Sequence, residues 1–197
     1  MQLDMATRFI LSKLKDELSP SLTYHSVTHT EDVYDAARYI ALKERVATAD
    51  CTILLSAVLF HDTGFLVQPK DHELLSCAIA REKLPLFEYN TKEIEQVCEL
   101  IMATRLPQTP ENLLEKIICD ADLDYLGRDD FFIISHKLYL EMINLGTVKS
   151  LREYNDLQIH FLETHRYFTD TAIKLRAQKK EEHLKRLKQN NKSNKNI

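Results

Sequence analysis

Tryptophan is absent, and only 3 Gly and 5 Pro stand among the 197 residues. With so few chain-breakers, tight turns and long irregular loops are not expected to dominate the fold. There is no C-x-x-C pair. The four cysteines, Cys51, Cys77, Cys98 and Cys119, are scattered through apolar sequence of helical character and read as buried thiols kept in a reducing compartment. No stretch approaches about 18 consecutive apolar residues, so no segment is expected to span a membrane. The amphipathic start, MQLDMATRFILSKLKDEL, is broken by charges and lacks the apolar core of a signal peptide. A cytoplasmic location is the resulting expectation.

What is present favours helix. Ala, Leu, Glu and Lys are plentiful, and hydrophobic residues make up 44% of the chain against 28% charged, the balance of one globular domain of this length. The net charge of −4 is unevenly spread. From Lys174 to Ile197 there are 9 basic and 2 acidic residues, +7, leaving 17 basic and 28 acidic residues before them, −11. An acidic body argues against a nucleic-acid partner. The basic end, with Lys179, Lys180, Lys185, Arg186 and Lys188, reads as a solvated helix end. The expected organisation is an all-α bundle over 1–175 and a basic helix end with a frayed tail over 176–197.

Periodicity places helices at about Leu3–Leu18, from His29 onward behind a Thr28–Glu31 capping box, and at Ala49–His61. Others follow at His72–Leu84, Thr91–Thr104, Glu111–Leu126, Asp130–Leu145 and Arg152–Tyr167, with a long last one from near Thr169. No segment alternates like a strand. Ala49–His61 is apolar almost all round and belongs at the centre of the core, with Gly64 as its terminator. Phe131, Phe132 and Ile133–Ile134 read as core. His136, His160, His165 and His183 read as structural or surface residues.

Three segments place metal-ligand residue types at ends of apolar helices: Tyr24-His25-Ser26-Val27-Thr28-His29, Phe60-His61-Asp62-Thr63-Gly64 and Cys119-Asp120-Ala121-Asp122-Leu123. An ionised Asp beside a core helix is costly unless it is paired, hydrogen-bonded or bound to a cation. That argument applies both to Asp62 and to Asp120 and Asp122. One divalent cation is the economical common partner, and imidazole with carboxylate suits Mn, Fe, Ni, Co, Zn or, with more water, Mg.

His29, the pair His61-Asp62 and the later Asp122 resemble the H…HD…D signature of the HD-domain phosphohydrolase superfamily. The likeness covers Tyr24 to about Leu126 by motif. It implies a helical bundle around a metal held by His29, His61, Asp62 and Asp122, and phosphate-ester substrates, usually nucleotides. The Tyr24-His25…His29…Asp32-Val33 stretch and Ala121-Asp122-Leu123 are also similar to segments of cyclic-nucleotide phosphodiesterases. There the first His protonates the leaving group, which implies an acid role for His25 here. This chain lacks a counterpart of their full-length domain.

The resemblance further implies a water activated at the metal, with Asp122 orienting it or taking its proton. Phosphate needs basic partners, and Arg105 and Arg128, at loop positions, are the first candidates. His72 is a third substrate contact, and Asp120 supports a ligand or caps local structure. His72 is the one histidine between the His-Asp pair and Asp122, a shortage that counts against a second fully protein-bound metal and against an oxygenase of this scaffold. The expectation is hydrolysis of a phosphate ester of a small, nucleotide-like substrate, as mono- or diester. Its rival is a silent module that binds a nucleotide and signals to a partner.

Overall fold

A computed structural model describes residues 1–193, with side chains as far as Asn191. Residues 194–197, the end of the expected frayed tail, lie outside the described residues. The fold is all-α. Nine α-helices follow in order among the described residues: α1 (Leu3–Glu17), α2 (Val27–Lys43), α3 (Thr48–Phe60), α4 (His72–Lys83), α5 (Thr91–Ala103), α6 (Leu113–Asp122), α7 (Phe131–Asn144), α8 (Leu151–Thr164) and α9 (Asp170–Ser193). Single 3-10 turns occupy Thr63–Leu66, Leu84–Phe87 and Asp124–Gly127.

The apolar helix α3 is the centre of the bundle. Its residues from Ile53 to Phe60 are all buried, and α1, α2, α4, α5 and α6 pack against it. Each neighbour offers one apolar stripe, such as Ala6, Ile10 and Leu14 on α1 or Val33, Ala37 and Ile40 on α2. A fully buried Leu, Ile or Phe contributes about 1.5–3 kcal/mol, so this helix anchors everything built at its ends. Thr48–Leu66 has the length and composition of a membrane span, but most of it is buried inside this bundle. A second, smaller cluster joins Tyr24, Leu123, Tyr125, Leu126 and Phe131 to α8 and α9.

Several local expectations change. α2 is capped by Ser26, whose Oγ accepts from the His29 N–H at 3.5 Å, so the helix starts two residues before the expected His29. α6 is shorter than Glu111–Leu126. Asn112 caps it through the Glu115 N–H at 3.1 Å, and it ends at Asp122. α3 ends at Phe60, and Gly64 is not a left-handed terminator, since the one glycine with positive φ is Gly146. Gly64 is required by close approach instead, because a Cβ there would stand 2.0 Å from the His72 carbonyl oxygen. Ile133, expected in the core, is 66% exposed.

Lys180 also departs from the solvated-end reading. It is buried, and its Nζ donates to the carbonyls of Leu162 at 3.1 Å and His165 at 2.6 Å. A cation on the free carbonyls ending α8 complements the helix dipole. The same arrangement penalises a proton on His165. Burial first, then the charges of Lys180 and Arg166, push its pKa down to about 3. The unfolded chain takes up that proton near pH 6.5, whereas the fold refuses it until far lower pH, so this contribution is complete above 6.5 and lost as pH falls. Between pH 6.5 and 5 the wild type is expected to lose about 1.5 kcal/mol more stability than His165→Gln. Urea unfolding at both pH values checks this, and equal losses would rule it out.

Candidate metal centre

The three helix ends singled out by the sequence meet. Capping by Ser26 puts His29 in the first turn of α2, His61 and Asp62 follow directly on α3, and Asp122 is the last residue of α6. These three helices pack on one another, which is why residues so distant along the chain converge.

The distances are short and mutual. His29 Nε2 stands 3.4 Å from Asp62 Oδ2 and 3.3 Å from Asp122 Oδ1. His61 Nε2 stands 3.2 Å and 3.5 Å from the same two oxygens. Ligand bonds of about 2.1 Å at right angles put neighbouring donor atoms roughly 3 Å apart, so this spacing is that of a coordination shell. His29, His61 and Asp122 each offer one donor atom within 4.8 Å of the others.

Two observations favour a cation over a plain hydrogen-bonded cluster. The His61 Nδ1–H donates to the Val58 carbonyl at 2.7 Å, which leaves Nε2 facing the cluster as an acceptor. His61 Nε2 and Asp62 Oδ2 are then buried with no hydrogen-bond partner. Buried polar atoms are almost always satisfied, and a divalent ion would satisfy both. Without one, the four groups lean on each other's charge. Burial opposes the charged form of His29, but the Asp122 and Asp62 carboxylates beside it outweigh that and raise its pKa to about 8. His61 is likewise raised despite its burial. Asp122 is held down at about 2 by His29 and His61 against the effect of burial, and Asp62 is lowered in the same way.

The remaining expected residues are placed as follows. His25 lies just before α2, its ring stacked on Phe65 with centroids 3.9 Å apart and 6.0 Å from the His29 ring. His72 Nε2 is 3.5 Å from Asp62 Oδ1. Arg128 lines the cleft over His29 and Asp122, but its guanidinium is engaged by Asp130 at 2.5 Å and Asp32 at 3.3 Å. Arg105 pairs with Asp71 at 2.9 Å, near His72, and is not among the residues lining that cleft. Asp120 is buried and its carboxylate is engaged elsewhere. It accepts from the backbone of Phe168 and Thr169 at 2.8 and 2.7 Å and from Thr169 Oγ1 at 2.7 Å, tying down the start of α9. Burial outweighs those bonds and lifts its pKa to about 6.

Two residues were not foreseen. Glu141, on α7 and 1% exposed, binds the Nδ1 of His25 with Oε1, while its Oε2 accepts from the backbone N–H of Tyr24 at 2.8 Å and of His25 at 2.9 Å. Burial favours its neutral form, yet these bonds hold its pKa below the ordinary glutamate value. Its signal was a lone carboxylate inside Leu138-Tyr139-Leu140-Glu141-Met142-Ile143. Ser76 Oγ accepts from the Gly64 N–H at 2.8 Å and donates to the His61 carbonyl at 2.7 Å, locking the His-Asp turn onto α4.

The HD domain family model matches residues 26–124, a span that holds His29, His61, Asp62 and Asp122 and begins one residue after His25. Among solved structures, Bacillus subtilis YpgQ in complex with ADP is similar with a TM-score of 0.67 at 20% identity, over 98% of this chain and 97% of that one. A predicted HD superfamily hydrolase from an uncultured Thermotogales bacterium gives 0.62 at 21% identity, over 92% and 89%. A Lactobacillus plantarum protein gives 0.67 at 17% identity, over 96% of both. At these identities the likeness concerns the fold. A search of curated proteins found no match.

Proposed function

The chain belongs to the HD domain family, whose members are metal-dependent hydrolases, and we propose that it hydrolyses a phosphate ester of a small nucleotide. The carrying observation is the pair of buried, unpartnered atoms His61 Nε2 and Asp62 Oδ2, facing His29 and Asp122 at 3.2–3.5 Å. A nucleotide is favoured because a protein of the same fold binds ADP.

His29, His61, Asp62 and Asp122 would hold the divalent ion. When bound, such an ion polarises a phosphoryl oxygen and lowers the pKa of water. The residues of the chain supply the rest. Asp122 lines the cleft, where a carboxylate can orient water or take its proton. Glu141 engages Nδ1 of His25, so Nε2 is the atom left to move a proton at the leaving oxygen. The Phe65 face fixes the other rotation of that ring. Burial of Phe65, Tyr24 and Tyr125 keeps water off one side of the cluster and strengthens its electrostatics.

The test is a panel of nucleotides and chromogenic phosphate mono- and diesters, assayed with Mn, Ni, Co, Zn, Fe and Mg on metal-stripped protein. Hydrolysis restored by at least one ion is the expected result. Nucleotide binding without turnover under every ion would instead make the chain a silent nucleotide-binding module.

A further inference from the structure

Two of the four cysteines meet. Cys77 on α4 and Cys98 on α5 are 2% and 3% exposed. The Cys77 Sγ stands 3.5 Å from the Cys98 carbonyl oxygen, and the Cys98 Sγ stands 3.7 Å from the Cys77 carbonyl oxygen. Side chains that each reach the other's backbone lie alongside one another, and the two thiols are in hydrogen-bonding contact. The sequence of α4 permits this approach. Its buried residues beyond the first turn are Ser76, Cys77 and Ala80, all small, and small contact residues let helix axes close toward about 8 Å. A disulfide needs Cα atoms about 4.4–6.8 Å apart and side chains turned toward each other. Two residues in reciprocal side-chain contact across a helix pair meet the second condition.

The other two cysteines are differently placed. The Cys119 thiol donates to the Ala103 carbonyl at 3.1 Å, and burial pushes both Cys119 and Cys51 up from the usual thiol pKa. The hydrogen bond from Cys77 instead holds Cys98 below that value against its burial, with Arg81 acting in the same sense. Arg81 follows Cys77 by one turn, and Glu95 precedes Cys98 by nearly one. Their two bonds, at 2.8 and 2.6 Å, clasp α4 to α5, and both side chains are half-exposed. The thiols thus lie one turn in from a surface ion pair, and its local opening admits a small solute.

We propose that Cys77 and Cys98 form a peroxide-sensitive dithiol, a modification site whose oxidation to a disulfide staples α4 to α5 and braces the His-Asp turn. The brace runs through Ser76, next to Cys77, whose Oγ holds the Gly64 N–H and the His61 carbonyl. The oxidant is hydrogen peroxide. The Cys98 thiolate attacks one peroxide oxygen, the O–O bond breaks, and a water leaves after taking up a proton. The Cys77 thiolate then attacks the sulfur of the Cys98 sulfenic acid, the S–O bond breaks, and a second water leaves. Each sulfur gives up one electron and the peroxide takes both. A small dithiol reverses the step by exchange. The site stands whether or not the chain hydrolyses a nucleotide.

The test treats the reduced, folded full chain with a small excess of hydrogen peroxide. Free thiols counted after denaturation should fall from four to two, and a digest should contain the Cys77 and Cys98 peptides linked by a bond that dithiothreitol cleaves. Hydrogen exchange read by mass spectrometry should slow by about ten-fold over α4 and at Gly64 in the oxidised form. Cys98→Ser should lose both effects, and Cys77→Ser should strand a sulfenic acid on Cys98 that dimedone traps. The wild-type measurements decide the matter even if either variant folds poorly. Survival of all four thiols, a link through Cys51 or Cys119, or a Cys77–Cys98 link that leaves exchange unchanged overturns the proposal.

Discussion

Asp62→Ala is expected to lower kcat by on the order of 10³-fold while leaving the helical bundle folded. Asp62 is placed to contribute twice. Its Oδ2 faces both His29 and His61, and its Oδ1 faces His72 at 3.5 Å. Losing a carboxylate ligand weakens the hold on the ion and removes charge stabilisation worth several kcal/mol at the reacting phosphoryl group. At about 1.4 kcal/mol per ten-fold, that gives the stated factor. The fold should persist because Asp62 sits beyond the last turn of α3, whose apolar face is unaltered. Steady-state kinetics with saturating metal, beside a circular-dichroism melt, reads both halves. A loss of ten-fold or less in a folded variant would mean that Asp62 is not a ligand.

His25→Ala is expected to slow substrates with poor leaving groups by about 10²–10⁴-fold and activated aryl phosphates far less. A departing alkoxide needs a proton, whereas a nitrophenolate does not. Glu141→Gln should show the same dependence on leaving group to a smaller degree. The amide can still accept from the two backbone N–H groups and keep the loop in place, but it loses the charge that faces the His25 ring. A positioning residue is thereby told from a merely structural one, which would slow all substrates alike. Equal slowing of aryl and alkyl esters by His25→Ala would remove His25 from the reaction.

The sequence made most helices legible because an apolar stripe recurs with helical period, and α3 because it is apolar almost all round. It made the candidate metal site legible because carboxylates at the ends of core helices demand a partner. The same reasoning reaches Glu141, a single acid inside an apolar run of α7, but nothing in its spacing ties it to His25, 116 residues away. Lys180 escaped for a related reason. A lysine-rich helix looks solvated until α9 lies against the end of α8 and brings one ammonium onto the free carbonyls. The sequence placed the cap of α2 at Thr28 with Glu31, whereas the Ser26 hydroxyl takes the His29 N–H. Ser26 prevails, and the result puts the His29 side chain in the first turn, where it meets Asp122. Asp120 and Asp122 are chemically alike, and only the tertiary partners separate them: Thr169 and its neighbours for one, two imidazoles for the other.

The most direct measurement is an anomalous-difference map from crystals of the metal-stripped protein soaked in Mn. The account predicts one strong peak within about 2.0–2.3 Å of His29 Nε2, His61 Nε2, Asp62 Oδ2 and Asp122 Oδ1, and its disappearance in Asp62→Ala. A wild-type map with no peak among those four atoms, from protein that still hydrolyses nucleotides, would contradict it.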